Sequence, residues 1–329
     1  MTTINSNISP QFSIALQTDK PITQYGSLAE KVEALGFDGV TVYNDMLYQP
    51  AWLPLLEMAR ATKRVKLGVA AVNPFTCHPI NIAANMALID EASNGRSYCG
   101  FARGAWLDFV GLQPERPITA VKEAMRCVRH LLSRSTEPFV SEIFPVTGGD
   151  ALRWSNIRAD IPFLLGSWGT KMIQAGLPYV NEIKLGGSAN PGAVHWLRDF
   201  MGNADVAIVV GAVTVVDEDG AAARALARRE VALYLPVVAE LDPSIEIEPE
   251  RLAGLKQAAE RYDWDTAVSY ISDELLTKFA FAGTPLEIVT QTEQLIAAGA
   301  NRIEFGTPHG LNPQIGLDLL GKKVLSALR

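Results

Sequence analysis

The chain has 329 residues, of which 48% are hydrophobic and 20% charged, with a formal net charge of -7 and a pI near 5.3. That composition excludes a disordered chain, and the acidic balance leaves no basic footprint for nucleic acid or an anionic membrane surface, so the expected partner is a small molecule. The length admits two domains or one α/β barrel with insertions.

Residues 1–12 carry neither the basic start nor the apolar core of a secretory leader, and no run approaches the roughly 20 apolar residues that span a bilayer, so the chain reads as cytoplasmic. The first strand is expected at 13–16. A helix at 25–35 follows, with Leu28, Ala29, Val32 and Leu35 on one face and Gly36 as its cap. A second strand at 39–43 and a helix at 53–61 lead to the third strand at 65–72. There only Lys66 is charged, and Gly68, Ala70 and Ala71 are small, as if a large group needed room beside the strand. Asn73-Pro74 stops it, because proline cannot donate to a ladder, and Asn73, Thr76 and His78 gather at its carboxyl end. A helix at 82–91, closed by Asn94-Gly95, a strand at 97–102 and a helix at 119–132 come next.

Residues 135–160 break the rhythm with Pro138, Pro145, Gly148 and Gly149, which predicts an inserted loop or hairpin over one mouth of the fold. Strands at 162–166, 182–185 and 206–210 alternate with helices at 171–177, 191–201 and 219–232. A mostly helical insertion at 233–281 precedes a helix at 285–298, the eighth strand at 301–305 and a closing helix at 316–328. Eight strands, nearly all followed by helices, predict a single (β/α)8 TIM barrel over 1–329 with insertions at 135–160 and 233–281. An open doubly wound sheet is the alternative, and it lacks a G-x-G-x-x-G turn after the first strand.

Ligands in such a barrel meet the carboxyl ends of the strands. Three glycine-rich turns fall there. Gly100-Phe101-Ala102-Arg103-Gly104 offers an arginine, while Gly166-Ser167-Trp168-Gly169-Thr170-Lys171 and Gly186-Gly187-Ser188-Ala189-Asn190-Pro191 each open a helix whose free amides suit phosphate. Asp45, past the second strand, is either a functional carboxylate or a helix cap. His78 is either an acid-base group or a cap, His195 and His130 lie in helices, and His309 falls in an exposed turn. Cys77, Cys99 and Cys127 are odd in number and lack C-x-x-C spacing, so they read as buried thiols. No metal-ligand spacing and no G-x-S-x-G elbow is present.

Asn73-Pro74-Phe75-Thr76-Cys77-His78-Pro79 after a small-residue strand, Asn94-Gly95-Arg96, and the three glycine turns recur in an order that resembles the bacterial luciferase-like superfamily. Within it, the chain is similar to the coenzyme F420-dependent branch that includes methylenetetrahydromethanopterin reductase. The resemblance implies a homodimer of (β/α)8 barrels binding a deazaflavin or flavin at the carboxyl mouth. It implies a non-prolyl cis peptide at Ala70-Ala71 behind the cofactor ring, with Asn73, Arg103 and Gly104 nearby. Gly166, Ser167, Trp168, Gly169, Lys171, Gly186, Gly187 and Ser188 would hold the cofactor and its phosphate.

Two positions depart from the family pattern. Met46 follows Asp45 where dehydrogenases of the family often carry histidine, and Ala105 replaces an acidic residue after the fourth strand. The expectation is therefore an F420-dependent oxidoreductase acting on a C=C or C=N bond, with Asp45 and Tyr43 as catalytic candidates and Tyr48 and Asp108 behind them. An FMN-dependent monooxygenase is the alternative, and a cofactor-free binding or regulatory barrel is the second.

Overall fold

A computed structural model describes residues 9–329, so residues 1–8, on which the leader reading rests in part, lie outside the described residues. In chain order the elements are β1 (Gln11–Leu16), α1 (Gln24–Ala34), β2 (Gly39–Val42), α2 (Trp52–Ala61), β3 (Lys66–Val72), α3 (Pro79–Ala92), β4 (Ser97–Phe101) and α4 (Pro117–Leu132). They continue with β5 (Phe163–Gly166), α5 (Thr170–Gly176), β6 (Glu182–Gly186), α6 (Pro191–Met201), β7 (Ala207–Val216), α7 (Gly220–Val231) and α8 (Leu235–Leu241). The last are α9 (Pro249–Glu260), α10 (Trp264–Ser269), α11 (Asp273–Phe279), β8 (Ala280–Gly283), α12 (Pro285–Ala297), β9 (Arg302–His309) and α13 (Pro313–Leu319).

The sheet runs β6-β5-β4-β3-β2-β1-β9-β7-β8, and a further β6–β7 pairing closes it. The ring holds β1 to β7 and β9, which is the (β/α)8 barrel that the sequence predicts. The ninth strand corrects the sequence reading. β7 continues to Val216, and its second half pairs with β8 in parallel, Val213 to Val216 against Ala280 to Gly283. Ala-Phe-Ala-Gly follows α11 without a turn residue between them, so nothing in the local pattern separates strand from helix. Among the described residues no helix is long and apolar enough to cross a membrane.

Backbone contacts divide the described residues into two compact units: 9–15 with Leu35–Phe37 and Lys184–Arg329, and Leu16–Ala34 with Asp38–Ile183. In the second unit the start of β3 is gripped from both backbone polarities. The Glu33 carboxylate accepts the N–H groups of Lys63 (3.0 Å), Arg64 (2.6 Å) and Val65 (3.0 Å). The Arg96 guanidinium donates to the carbonyls of Val65 (2.6 Å), Thr62 (2.8 Å) and Ala59 (3.2 Å). Two side chains thus satisfy backbone groups that the end of α2 and the turn into β3 would otherwise leave to water.

Within residues 135–160 a Phe139–Val146 bridge closes a hairpin, and the segment packs against α4 and His78. Glu123 accepts the Ser141 hydroxyl and the Ile143 N–H, and Arg126 stands 5.4 Å over the Phe139 ring. Phe144 meets His78 edge-on at 5.5 Å, and Arg158 pairs with buried Asp90 at 2.7 Å.

In the first unit, Lys184 on β6 pairs with Glu304 on β9, which is 0% exposed, and Arg302 stands 3.6 Å from the same carboxylate. Gly211 on β7 pairs with Glu304 in register, and a Cβ there would press on both Lys184 and Glu304 at 3.1 Å. A glycine therefore lets two charges meet across the strand between them.

Two outcomes follow. Burial pushes the Glu33 carboxyl up, but its three backbone N–H partners and Arg64 outweigh that and hold it below its ordinary value. Its contribution should be complete above the unfolded value of about 4.3 and disappear as the pH falls through the folded one. Glu33→Gln should lower stability at neutral pH by about 1–2 kcal/mol, and the loss should shrink in acid, as read by urea denaturation against pH. Lys184→Met should cost about 3 kcal/mol in the same assay, because it removes the ion-pair partner of a fully buried carboxylate.

Candidate active site

The end of β3 is where the sequence reading and the geometry meet. Val69 pairs with Cys99 and Val72 with Phe101, so three steps on β3 face two on β4 and one residue is extra. The bulge falls on Ala70 and Ala71, whose peptide bond is cis as the resemblance implied. Gly100 makes it possible: a Cβ at that position would fall 2.6 Å from the Val69 carbonyl oxygen and 3.1 Å from the Ala70 Cα. Bulges of this kind re-aim the chain beside functional sites.

The small residue at Gly68 has another cause. A Cβ there would fall inside the Tyr98 ring, and Tyr98 crosses β3 to hydrogen-bond Thr41 on β2. The room expected beside the strand is filled at Gly68 by the protein itself.

Past the strand, Asn73 Oδ1 accepts from Phe75 N (3.0 Å), Thr76 N (3.0 Å) and Thr76 Oγ1 (3.1 Å), which turns the chain. Its Nδ2 has no hydrogen-bond partner among the described residues although Asn73 is only 7% exposed, and it faces Gly104, where a Cβ would come within 2.9 Å. His78 is a cap: Nδ1 accepts the Ile80 N–H at 3.2 Å and Pro79 opens α3. Arg103 and Lys171 are exposed and have no partner among the described residues.

The two helix-opening turns differ. After β5, Gly169 precedes α5 without a side-chain cap, so the Thr170, Lys171 and Met172 amides lack intrahelical acceptors. Ser167 Oγ takes the Gly169 N–H at 3.1 Å, Trp168 is half-buried, and side chains added at Gly166 or Gly169 would meet nothing nearer than 3.8 Å. After β6, in the other unit, the amides are consumed. Gly187 N and Ser188 N both donate to the Gly211 carbonyl, Ala189 N to Lys278 O, and Asn190 N to Ser188 Oγ. Gly186 alone in that turn has open space where a Cβ would stand.

Asp45 is free of the capping role that the sequence left open. α2 begins at Trp52 with no side-chain cap, and Asn44, not Asp45, accepts the Ala51 N–H at 3.3 Å. Asp45 Oδ2 instead accepts from Gln17 Nε2 at 2.8 Å. Tyr43 sits just past β2, its N–H on the Leu16 carbonyl at 3.0 Å. Tyr48 and Asp108 are exposed.

Two further expectations change. His309 is not in an exposed turn: it ends β9, is 2% exposed, and its Nε2 lies 3.0 Å from the Ala15 carbonyl, so that nitrogen carries the proton. Cys99 and Cys127 are buried, with Cys127 pushed up to about 11 by burial, whereas Cys77 is half-exposed. Among the described residues, no three His, Cys, Asp or Glu side chains gather as metal ligands.

The model of the luciferase-like monooxygenase family matches residues 3–302. The chain belongs to that family. It is 26% identical to the 5,10-methylenetetrahydromethanopterin reductase of Methanopyrus kandleri, over 95% of this chain and 97% of that protein. Its fold is similar to the solved structure of the coenzyme F420-dependent tetrahydromethanopterin reductase from Methanopyrus kandleri, with a TM-score of 0.88, 22% identity and coverage of 98% and 100%. It is also similar to an F420-dependent secondary alcohol dehydrogenase, with a TM-score of 0.76, 17% identity and coverage of 98% and 100%.

Gly100→Ala should destabilise the protein by about 1–3 kcal/mol, the usual range for forcing extra volume into a packed site. Gly169→Ala, with open space around it, should change stability by less than about 0.5 kcal/mol. Urea denaturation midpoints of the two variants check the contrast.

Proposed function

We propose that this protein is a coenzyme F420-dependent oxidoreductase that reduces a C=N or activated C=C bond of a small organic substrate. The observation that carries the reading is the end of β3. A bulge of two alanines, with the Asn73 Nδ2 beside it unpartnered among the described residues, offers bare backbone and one donor to a flat heteroaromatic ring. The reductase relatives support it, as does the likeness to F420-dependent structures.

Bound in its reduced form, F420 would supply the hydride and leave as the oxidised deazaflavin. Ala70 and Ala71 would back its ring and Asn73 would donate to it, with Gly104 keeping that side clear. The open glycines Gly166 and Gly169, with Ser167 and Trp168 between them, leave space for its phosphate against the α5 amides and Lys171, with Arg103 as a second cation. Gly187 and Ser188 shape the turn after β6 through the Gly211 carbonyl, and Gly186 leaves its backbone approachable.

The residues around Asp45 suit a substrate that needs no strong protein base. A cationic C=N carbon accepts hydride without a proton from the protein, which fits the non-ionisable side chains of Met46 and Ala105. Asp45 offers such a cation a negative charge. Tyr43 offers an O–H to a substrate that does need a proton. The protein would act in the cytoplasm on a freely diffusing substrate, and the exposed Leu53, Ile80 and Leu88 on α2 and α3 give it apolar surface for a homodimer.

Purified protein titrated with F420 and with FMN should show a bound-cofactor spectrum for F420 and none for FMN. Tight FMN binding without F420 binding would instead make it a flavin monooxygenase, and binding of neither would leave the cofactor-free barrel. Lys171→Ala should weaken F420 binding by about 1–3 kcal/mol, the range for a lost hydrogen bond to a charged group.

A further inference from the structure

Gln17 was not among the residues the sequence singled out, yet it is the side chain that touches Asp45. Its amide is oriented from both ends. Oε1 accepts the Thr18 N–H at 2.8 Å, which turns Nε2 toward Asp45, where it donates to Oδ2 at 2.8 Å. The Gln17 carbonyl is held in turn by the Lys20 ammonium at 3.4 Å and the Tyr25 hydroxyl at 3.5 Å. Gln49 joins the same loop, its N–H on the Thr18 carbonyl at 3.1 Å and its Nε2 on the Lys20 carbonyl at 2.8 Å. Among the described residues Asp45 has no other side-chain partner, and Oδ1 accepts no hydrogen bond.

We propose that Gln17 is a positioning residue that fixes the Asp45 carboxylate without neutralising it, so that Asp45 can face a positively charged C=N group of the substrate. The argument rests on the choice of donor. A lysine or arginine at this place would orient the carboxylate equally well but would cancel its charge, whereas an amide donates one hydrogen bond and leaves the full negative charge in place. A carboxylate with one oxygen clamped and the other open presents that charge in one direction. Asn44 takes the capping duty next door, so the arrangement serves no helix. This inference rests on the F420-dependent reading and adds the sign of the substrate's charge to it.

The test uses the full chain with reduced F420 and two kinds of acceptor, a cationic one (protonated 3,4-dihydroisoquinoline or its N-methyl iminium salt) and a neutral one (2-cyclohexenone), following F420 oxidation. Wild type should favour the cationic acceptors in kcat/KM. Gln17→Leu should lower kcat for them about tenfold or more, the loss expected when one hydrogen bond to a charged group goes, with F420 affinity and Tm unchanged. Gln17→Lys, which keeps a donor but cancels the charge, should not rescue kcat. In an Asp45→Asn background Gln17→Leu should add nothing, since the two act as one unit.

Unchanged kcat in Gln17→Leu, full rescue by Gln17→Lys, additive losses, or preference for the neutral acceptor would each overturn the inference while leaving the F420 reading intact. A wild type that neither binds F420 nor oxidises it with any acceptor overturns that reading, and this inference with it.

Discussion

The constraint on which the candidate site depends is the approach of Gly100 to the Val69 carbonyl, where no side chain has room. That contact lets β3 carry one more residue than β4 between paired positions, and the extra residue places Ala70 and Ala71 off the regular ladder. Beyond them Val72 returns to register with Phe101, and its carbonyl takes the Ala102 N–H at 2.9 Å. The chain then turns on the Asn73 side chain, which leaves its amide nitrogen toward Gly104. A bulge anchored on both sides holds its shape without help from a ligand.

Charge does its work in three different settings. Glu33 and Arg96 spend theirs on backbone groups at the start of β3 and fix the strand's near end. Lys184, Arg302 and Glu304 are buried together across Gly211, where any one left alone would be costly. Gly211 links that cluster to the turn after β6, because its carbonyl holds Gly187 and Ser188. Arg103, Lys171 and Asp45 Oδ1, by contrast, have no partner among the described residues.

The barrel was legible because strand, helix and turn signals repeat with little interruption, and the small residues of β3 with the polar stop at Asn73 marked the strand that carries the bulge. What was missed lay in contacts between segments distant in sequence. Gly68 is small for Tyr98, a side chain on the next strand. The turn from Gly186 to Asn190 reads as an amide nest, but Gly211 and Lys278, far along the chain, already fill it. Pro308-His309-Gly310 has the composition of a surface turn, and only the pairing of β9 with β7 shows that it is a strand end. Gln17 carries no signal at all, since a glutamine after a strand is ordinary until Asp45 is seen beside it.

A crystal structure of the protein with F420 tests the central claim most directly. The account predicts the deazaflavin ring against the backbone at Ala70 and Ala71, the Asn73 amide donating to it, and the phosphate on the Thr170 and Lys171 amides. A ring bound elsewhere, or a phosphate held away from the turn after β5, would contradict it.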